Sequence, residues 1–586
     1  MTPAAVLSQV IAAVEAEGKR LRAEFYAPQG PRGRRGSCPA DTEIEERLQV
    51  ALQALIPAQF CGEECAVKPG TRPGWVWLVD PHDGTFEFTA GRRGSAVSVA
   101  LVRDGVPVLG VVHAPDAPDR GPDTIAWAEG AGPLLRNGRA IHPDLSQERL
   151  GPGKFVWATA SSAWRPEMWS RAVLPARYVA MPSIAYRLAR VAAGDGIATV
   201  SIHGVNEYDI AAGMALIRAA GGVALDREGL EIRLQGNSDR RVTGCFAGAP
   251  QAAAQLARFD WSLLDTEPRR EPRVTLGFPR KDDPARVERA QGVLLGQVIG
   301  DSLGSRVELK PAAQIAVHFP AGVRELGDGG VYHTLAGQPT DDSEMALSLA
   351  RAILREGRYD AEKVLDAYRA WLTSRPVDVG QTTERGLLGM NTTDSESNGS
   401  LMRVSPIGVW AAGDPALAAR TARDDSMLTH TSATCVESCA AYCAAIAAGV
   451  AGASREEMVE VAAAHAKGPA HEAVKRAAKG VAPSDFFTHP GWVLVALQNA
   501  FWCLQHLELE EALVQTVGRG GDTDTNAAIA GALLGALHGR AAIPARWILP
   551  LLACRPLAEA GALRPRPIEY WPDDVLELAE ALLLVR

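Results

Sequence analysis

The spacing of hydrophobic and polar positions changes near residue 265. Before that point, short apolar runs such as Trp75–Val79 alternate with helical patterns. The runs Ala96–Val102 and Val106–Val112 flank Asp104-Gly105, an arrangement that predicts a β-hairpin. Helical spacing covers residues 42–55, 183–193 and 209–220. These patterns predict a mixed α/β domain over residues 1–264.

From residue 285 onwards, apolar positions recur with the period of a helix almost throughout. The helical segments are 285–303, 342–356, 360–373, 434–449, 455–466, 493–506 and 525–538. Between the two regions, residues 265–284 are rich in proline and charge, which predicts a linker. The chain is therefore expected to be multidomain, with an all-α domain over residues 285–586.

Length and composition agree with this division. A chain of 586 residues is too long for one hydrophobic core, and 47% hydrophobic with 22% charged residues is ordinary for globular domains. The net charge of −9 gives no electrostatic indication of nucleic-acid binding. Small molecules with phosphate groups remain possible partners, provided that cations or local arginines supply positive charge.

Several features favour a cytoplasmic protein with no membrane partner. Residues 1–20 form an amphipathic pattern rather than a signal peptide, and no apolar run reaches the ~18 residues of a membrane span. The nine scattered cysteines fit a reducing compartment. Cys435, Cys439 and Cys443 repeat every four residues, which favours packing on one helix face over metal binding, because one face cannot supply a tetrahedron.

The first motif with candidate chemistry is Asp80-Pro-His-Asp-Gly-Thr85, directly after an apolar run. The proline keeps Asp80 extended, so the two aspartates can point to one centre, and the Gly-Thr pair can offer donors to a phosphate. Clustered carboxylates repel one another and indicate a bound cation such as Mg²⁺. Taken alone, the motif also fits a turn with a side-chain cap. Further carboxylates lie in Gly62-Glu-Glu64 and in Glu207-Tyr-Asp-Ile-Ala-Ala-Gly213.

These three segments together resemble the inositol monophosphatase superfamily over roughly residues 1–260. The resemblance implies a layered αβαβα sugar-phosphatase fold and hydrolysis of a phosphomonoester with two or three Mg²⁺ ions. The metal ligands that it implies are Glu63, Asp80, the main-chain carbonyl of His82, Asp83 and Asp209. It also implies that Asp41 and Thr85 pair to activate water and that Gly84 and Thr85 contact the substrate. The His82 side chain is expected to be exposed or to lie outside the ligand set.

Within that superfamily, Asp83-Gly-Thr-Phe-Glu-Phe88 and Gly105–Pro115 resemble the 3'(2'),5'-bisphosphate nucleotidase branch. Phe86 stands where that branch usually has lysine, and Tyr208 replaces the usual tryptophan. Arg92 and Arg93 follow the motif and either bind a second phosphate or are solvated loop charges.

The second motif is Gly520-Gly-Asp-Thr-Asp-Thr525, in which the two aspartates lie on one side of an extended segment. Thr525 is predicted to be the N-cap of a helix over residues 526–538, and the two glycines allow close approach of a ligand. Thr340-Asp-Asp342 opens another helix in the same way. Either motif alone fits an ordinary helix N-terminus, but together they predict a pair of Mg²⁺ ions.

The second half resembles the ADP-ribosylglycohydrolase family over roughly residues 284–560. Five segments carry the resemblance: Gly292–Glu308, Thr340–Leu347, Ser397–Pro406, Leu428–Thr431 and Gly520–Gly531. It implies an all-α fold whose two Mg²⁺ ions serve cleavage of the glycosidic bond at ribose C1''. The metal ligands that it implies are Thr340, Asp341, Asp342, Asp522, Asp524 and Thr525.

Other residues of this half receive roles from the same resemblance. The residues implied in substrate binding are Asn398, Gly399, Ser400, Gly520 and Gly521. Glu308 is the candidate acid or base for chemistry at C1'', unless it is a surface glutamate at a helix end. His430 either contacts substrate or is a buried structural histidine.

The two halves together predict a bifunctional Mg²⁺-dependent hydrolase. One half would hydrolyse a phosphomonoester of a nucleotide or sugar, and the other would remove or cleave ADP-ribose. The expected partners are a small phosphate ester and an ADP-ribosylated substrate. In the alternative interpretations, one half is an ADP-ribose- or nucleotide-binding regulatory module, or both halves are a scaffold. Covalent fusion suggests that the two substrates are linked.

Overall fold

The computed structural model of the chain describes residues 1–34, 36–236, 241–278 and 283–585. Two compact units are present. The first contains residues up to Pro272 and a short segment from Leu276, and the second contains Arg273–Thr275 and the chain beyond that segment. Part of the predicted linker, residues 279–282, lies outside the described residues. Within the described part, Phe278 packs on Phe25 of the first unit, with ring centroids 5.3 Å apart.

The first unit contains two large sheets. Its strands are β1 Gln59–Gly62, β2 Trp75–Asp83, β3 Ala96–Arg103, β4 Val106–Ala117, β5 Gly121–Ala128, β6 Leu134–Arg136, β7 Arg139–Ile141, β8 Phe155–Ala158, β9 Arg177–Ala180, β10 Ala198–Ser201, β11 Val205–Asn206, β12 Val223–Leu225, β13 Arg241–Val242 and β14 Cys245–Gly248. Strands β1 to β7 form a seven-stranded sheet in chain order, and the second sheet has the order β12-β14-β10-β8-β9. In the second sheet β10, β8 and β9 run parallel, so their carboxyl ends meet at one edge.

Helices cover and separate these sheets. They are α1 Pro3–Phe25, α2 Pro39–Leu55, α3 Thr85–Thr89, α4 Pro166–Val173, α5 Ile184–Ala192, α6 Glu207–Ala219 and α7 Pro250–Ala257. Helices α1 and α2 pack on the seven-stranded sheet, α5 and α6 contact strands of both sheets, and α4 and α7 contact the second sheet. The layers therefore alternate as αβαβα, and the predicted fold class is confirmed.

The predicted hairpin is present between β3 and β4. Asp104 and Gly105 both have positive φ, at 49° and 78°, which is the backbone of a tight turn that matches strand twist. Apolar residues of β2, β3 and β4 then meet α1 and α2 in one buried cluster that includes Trp77, Val99 and Val111.

The second unit is mostly helical, as predicted. Its helices are α8 Pro284–Gly304, α9 Ala312–His318, α10 Asp341–Glu356, α11 Ala361–Thr373, α12 Gln381–Leu387, α13 Ser405–Trp410, α14 Pro415–Met427, α15 Ala433–Val450, α16 Arg455–His465, α17 Gly468–Ala478, α18 Val493–His506, α19 Leu509–Gly518, α20 Thr523–His538, α21 Ala545–Leu552 and α22 Val575–Leu584. Among them, α8 and α20 pack along most of their length through glycines.

The glycine contacts bring the two helices very close. A Cβ atom added to Gly296 would lie 2.2 Å from the carbonyl oxygen of Gly531, and one added to Gly304 would lie 2.4 Å from Asp524 Cα. Only residues without a Cβ fit at this separation. The close packing fixes the start of α20, which carries the second acidic motif, against the end of α8.

One helix of the described chain, α15, is long and apolar enough to cross a membrane by length and composition alone. Within the fold, 83% of its apolar window is buried, as expected of a central helix in a helical unit.

Candidate active sites

The first acidic motif lies where β2 leaves its regular pairing with β3. The register shifts between Asp80 and Asp83, and such a bulge redirects side chains at the end of a strand. Asp80 is 1% exposed. Its Oδ1 accepts the backbone N–H of His82 at 2.8 Å, which closes the turn.

Four predicted ligand carboxylates of the first unit lie close enough to influence one another. Burial raises the pKa of Asp80 well above its ordinary value, and repulsion from Glu63, Asp83 and Asp209 raises it further. Burial also raises the pKa values of Asp83 and Asp209. Glu63 is exposed as a residue, but desolvation of its carboxyl end raises its pKa to about 7. A cation would relieve this repulsion.

Other elements hold these carboxylates in place. Asp83 Oδ2 accepts from Ser183 Oγ and from the backbone N–H of Ala185, each at 2.6 Å, at the start of α5. Asp209 Oδ2 accepts the backbone N–H of Asn206 at 2.7 Å, at the start of α6. The site is therefore assembled from β2, the start of α5 after β9 and the start of α6 after β11.

The arrangement of Asp41, Thr85 and His82 differs from the expected direct pairing of the first two. His82 Nδ1 lies 2.7 Å from Asp41 Oδ1, and the hydroxyl of Thr85 donates to the carbonyl oxygen of His82 at 2.7 Å. The Thr85 hydroxyl has only one hydrogen, so it does not also donate to Asp41 in this arrangement. The His82 side chain is 1% exposed, so of the two expectations the exposed position is wrong, and the buried side chain contacts Asp41 instead.

Gly84 has no close contacts at its Cβ position, whereas the two arginines after the motif form ion pairs within the protein. Gly84 has φ +97° and precedes Thr85 at the N-terminus of α3, with only ordinary contacts at the position of a Cβ. Arg92 and Arg93 are engaged by the protein itself: Arg92 pairs with Glu87 at 2.8 Å and Arg93 with Asp116 at 3.0 Å. These ion pairs weigh against the second-phosphate interpretation.

Sequence reasoning missed two residues that support the first site. Glu45 is fully buried and accepts the backbone N–H groups of Glu64 and Cys65 at 2.8 Å each. A Cβ at Gly62 would lie 2.1 Å from Glu45 Oε1, so the glycine makes room for this carboxylate. Ser183, which binds Asp83, is the second. Its position as the first residue of the predicted helix over residues 183–193 was the available signal.

In the second unit, Thr340 and Ser343 are held by an aspartate from another helix. Asp301 of α8 accepts the backbone N–H of Thr340 at 3.1 Å and that of Ser343 at 3.2 Å. Thr340 Oγ1 lies 2.9 Å from Asp301 Oδ1 and 3.1 Å from Asp342 Oδ2. Asp301 therefore caps α10 and fixes its first turn, a role that sequence reasoning missed.

The start of α20 supplies the remaining carboxylates. Asp522, not Thr525, is the N-cap residue, because the helix already begins at Thr523; the predicted cap was wrong. Asp522, Asp524 and Glu308 each offer an oxygen, and these oxygens lie within 4.8 Å of one another. Asn398 Nδ2 donates to Asp522 Oδ2 at 2.8 Å.

Burial and mutual repulsion also raise the pKa values of the carboxylates in the second unit. Those of Asp341, Asp342 and Asp524 lie well above the ordinary value, chiefly because of burial. Burial raises the pKa of Glu308 to about 7. Glu308 Oε2 and Asp342 Oδ1 are buried and have no hydrogen-bond partner among the described residues. An all-oxygen donor set with such unpartnered atoms fits a hard divalent cation.

Two further residues join this cluster. Tyr332 donates to Asp378 Oδ2 at 3.0 Å and lies beside the Glu308 carboxylate. Repulsion from Asp378 is the largest charge effect on Asp341. Neither residue lies in a recognisable motif, and only the fold brings them to the site.

Some predicted substrate-binding residues are enclosed by the chain itself. Ser400 is fully buried, and its hydroxyl accepts from Ser426 Oγ at 2.9 Å. The hydroxyl therefore does not face a ligand, in contrast to the predicted role in substrate binding. The faces of Gly520 and Gly521 meet the carbonyl oxygens of Lys310 and Phe486. The glycines were predicted to allow close approach of a ligand, but here the protein's own backbone makes that approach.

Gly399 and His430 also lie within the fold. A Cβ at Gly399 would lie 3.0 Å from the His430 ring. His430 is fully buried, with Nε2 3.0 Å from Ser397 Oγ and Nδ1 2.8 Å from Thr429 Oγ1. Burial lowers its pKa to about 3, so it is a neutral structural histidine.

The three cysteines of α15 have packing roles, as predicted. All three are buried, and their thiols donate to oxygens of the loop 395–404 beneath the site.

Known protein families match each half of the chain. Residues 37–260 match the inositol monophosphatase family, and residues 282–585 match the ADP-ribosylglycohydrolase family. A probable inositol 1-monophosphatase ImpA from Mycobacterium tuberculosis is 31% identical over 243 residues, which cover 39% of this chain and 82% of that protein.

Two relatives match the second half. An ADP-ribosyl-(dinitrogen reductase) glycohydrolase from Rhodospirillum rubrum is 30% identical over 289 residues, which cover 46% of this chain and 92% of that protein. The ADP-ribosylarginine hydrolase Tri1 from Pseudomonas putida is 26% identical over 323 residues, covering 51% of this chain and 85% of that protein. Both families are hydrolases, and the first is Mg²⁺-dependent. The chain therefore belongs to the inositol monophosphatase family through its first half and to the ADP-ribosylglycohydrolase family through its second.

Proposed function

We propose that this protein is a bifunctional Mg²⁺-dependent hydrolase of the cytoplasm. Residues 1–264 would form a phosphomonoesterase that acts on a nucleotide or sugar phosphate. After a connecting segment over residues 265–284, residues 285–586 would form an ADP-ribosyl glycohydrolase. The observation that carries the proposal is that each unit contains its own cluster of buried carboxylates with raised pKa values.

In the first unit, Glu63, Asp80, Asp83, Asp209 and the carbonyl oxygen of His82 would hold two or three Mg²⁺ ions. These ions would supply positive charge to the phosphate and lower the pKa of water. Thr85 would orient the attacking water and Asp41 would receive its proton, and His82 contacts both residues. The backbone at Gly84 and Thr85 donates to the phosphate.

In the second unit, Thr340, Asp341, Asp342, Asp522, Asp524 and Thr525 would hold two Mg²⁺ ions. Glu308 would exchange a proton with the acceptor or with the attacking water, because its pKa of about 7 allows both protonation states near neutral pH. Tyr332 and Asp378 position Glu308 beside the cluster. Asn398 donates to Asp522 and would lie beside the bound ribose.

A parallel assay of the two activities tests the proposal. The intact protein with Mg²⁺ is incubated with nucleotide and sugar phosphates and with ADP-ribosylated substrates, and phosphate and free ADP-ribose are measured together. Asp83→Asn should abolish phosphate release and spare ADP-ribose release, and Asp524→Asn should do the reverse. Because losing an outer partner of a metal site costs about 10–100-fold, losing a ligand should cost at least about 100-fold.

The same assay distinguishes the other interpretations. If one of the two substitutions left all hydrolysis intact, that unit would be a binding module rather than an enzyme. Full activity of both variants, or no activity of the natural chain with any substrate, would refute a bifunctional hydrolase. Glu460→Gln on the surface of α16 serves as the control and should change neither activity.

A further inference from the structure

Helix α5 buries two arginines in the interior of the first unit. Arg187 is 2% exposed, and Arg190 is fully buried. Arg190 pairs with two carboxylates, since its guanidinium lies 2.8 Å from Asp119 and also contacts Asp195. The guanidinium of Arg187, three residues earlier, donates only to neutral oxygens within the described chain. Buried charges are normally paired, so the position of Arg187 requires a reason other than an ion pair.

The oxygens that Arg187 contacts belong to two segments of the chain. Its Nε donates to the carbonyl oxygen of Ser183 at 3.3 Å, just before α5. Its Nη1 donates to the carbonyl oxygen of Val200 at 2.6 Å and reaches Thr199 Oγ1 at 3.5 Å, while Nη2 donates to Ser201 Oγ at 2.9 Å. These last three residues end β10. The guanidinium therefore bridges the start of α5 and the carboxyl end of β10.

Each bridged segment leads to a carboxylate of the first site. Ser183 Oγ donates to Asp83 Oδ2 at 2.6 Å. From Ser201 the chain runs through the short strand β11 to the start of α6, where Asp209 accepts the backbone N–H of Asn206. Arg187 thus joins the segment that holds Asp83 to the segment that leads to Asp209.

A guanidinium is suited to this bridge because it is rigid. It is planar and carries five N–H donors in fixed directions, so that simultaneous bonds to two segments fix their separation. All three nitrogens of the Arg187 side chain are engaged in this way. A lysine carries its donors on one nitrogen at the end of a flexible stem, so it would hold one point and not a span.

The charge of Arg187 also acts on the metal-binding carboxylates. Burial lowers the pKa of Arg187 to about 10, and attraction to Asp83 is the largest effect that opposes this shift. The side chain is therefore positively charged at neutral pH. Burial raises the pKa of Asp83 in turn, and the Arg187 charge is among the effects that oppose that rise. A test of the bridge must therefore separate position from charge.

We propose that Arg187 is a positioning residue of the first site, which sets the separation of Asp83 and Asp209 by holding the start of α5 against the end of β10. This inference rests on the proposed role of the two aspartates as metal ligands. Mg²⁺ requires near-ideal octahedral geometry with oxygens at about 2.0–2.1 Å, so a small displacement of one ligand segment should weaken its binding. In this role Arg187 contacts neither the ion nor the substrate and transfers no proton.

Position and charge predict different results for two substitutions. Arg187→Lys keeps the charge and loses the span, whereas Arg187→Met loses both. If charge alone mattered, Arg187→Lys would leave Mg²⁺ binding unchanged and Arg187→Met would strengthen it, because a cation repels Mg²⁺. If position matters, both should weaken Mg²⁺ binding. The expected loss for Arg187→Lys is about tenfold, as for an outer partner of a metal ligand.

Calorimetric titration with Mg²⁺ measures this loss. The full chain is used with Asp524→Asn, which removes a predicted ligand of the second unit, so that the first site dominates the heat. Asp83→Asn in the same background identifies the heat that belongs to the first site. As a second measurement, the Mg²⁺ concentration that gives half-maximal phosphate release should rise about tenfold in Arg187→Lys.

The same helix supplies a matched control. Arg190→Lys changes the other buried arginine of α5, whose partners Asp119 and Asp195 are not predicted ligands. It should lower the thermal midpoint and leave the Mg²⁺ affinity unchanged. Ser201→Ala is a milder variant that removes one acceptor of Arg187. It should weaken Mg²⁺ binding by a smaller factor than Arg187→Lys and add nothing when combined with it.

The outcomes separate this inference from the proposed function. Unchanged Mg²⁺ affinity in Arg187→Lys, tighter binding in Arg187→Met, or an equal loss in Arg190→Lys would each overturn the positioning role. If Arg187→Lys does not fold, Ser201→Ala decides, and an unchanged affinity in that variant overturns the role. Absence of phosphate release with every substrate would count against the proposed phosphomonoesterase, whereas the calorimetric result would still decide the role of Arg187.

Discussion

Asp41 and His82 form a buried pair in the first unit, with Nδ1 of the histidine 2.7 Å from the carboxylate. A hydrogen bond from Nδ1–H to Asp41 fixes the tautomer and the orientation of both groups. The edge of the ring meets Phe88, with centroids 4.3 Å apart. The histidine thus lies between Asp41, the aspartate proposed to activate water, and the turn of the first acidic motif.

Replacing His82 should therefore reduce the rate of phosphate release more than substrate binding. His82→Leu removes the donor to Asp41 and should lower kcat about 10–100-fold, as expected for a partner one step outside a metal site, with KM little changed. His82→Asn keeps a nitrogen donor near the Nδ1 position and should retain most of the activity. Kinetics of phosphate release measure both, and ADP-ribose release is the internal control. If the two variants lost the same amount of kcat, the hydrogen bond between His82 and Asp41 would not explain the loss.

At the scale of elements, the second site depends on how closely α8 and α20 approach. Gly300 faces the carbonyl oxygen of Ala527, and a Cβ there would lie 2.2 Å from it. One turn further, Gly304 faces the backbone of Asp524. Asp301, between them, caps α10. One helix thus sets the positions of two predicted ligand groups.

Gly300→Ala should separate α8 from α20. Overpacking at a close helix contact costs about 1–3 kcal/mol, and the shift would move Asp524 relative to Asp342. Stability and ADP-ribose release should both fall, while phosphate release stays unchanged. Thermal denaturation and the parallel assay measure these effects. Gly518→Ala in α19 is the control, because a Cβ there meets nothing within 4 Å, and it should be neutral. Unchanged glycohydrolase activity in Gly300→Ala would contradict this prediction.

At the scale of the whole molecule, both clusters concentrate negative charge that a cation would balance. The folded pKa values of Glu63 and Glu308 are about 7, above the ordinary carboxyl value of 4.5. Between about pH 4.5 and 7, these two groups therefore bind more protons in the folded chain than in the unfolded chain. Their contribution to stability is fully present below pH 4.5 and is lost as the pH rises through about 7.

Mg²⁺ should stabilise the protein more at pH 8 than at pH 6. At pH 6 protons compete with Mg²⁺ for these carboxylates, whereas at pH 8 the carboxylates have lost their protons. The difference between thermal midpoints with Mg²⁺ and with a chelator, measured at both pH values, tests this. The double variant Asp83→Asn with Asp524→Asn should lose most of the difference. An Mg²⁺ effect of the same size at both pH values would contradict the prediction.

Local sequence was enough to predict most elements and the carboxylates that the acidic motifs contribute to the two clusters. Periodicity placed α10 and α18 within a residue or so of their observed ends, since a helix buries a face at a fixed spacing. The clusters were predictable because each ligand group sits in a short segment with its own signature. Boundaries set by capping were less predictable, as the N-cap of α20 shows.

Tertiary structure alone decided which partners complete each site. Ser183 reaches Asp83 across 100 residues of sequence, and Asn398 reaches Asp522 across 124. Asp378 and Tyr332 joined the second cluster without any local pattern, and Ser400 proved to be enclosed. The sequence by itself determined two hydrolase folds and their acidic motifs, because periodicity and motif spacing are local. Packing decided the partners of those motifs, because such contacts join residues that are distant along the chain.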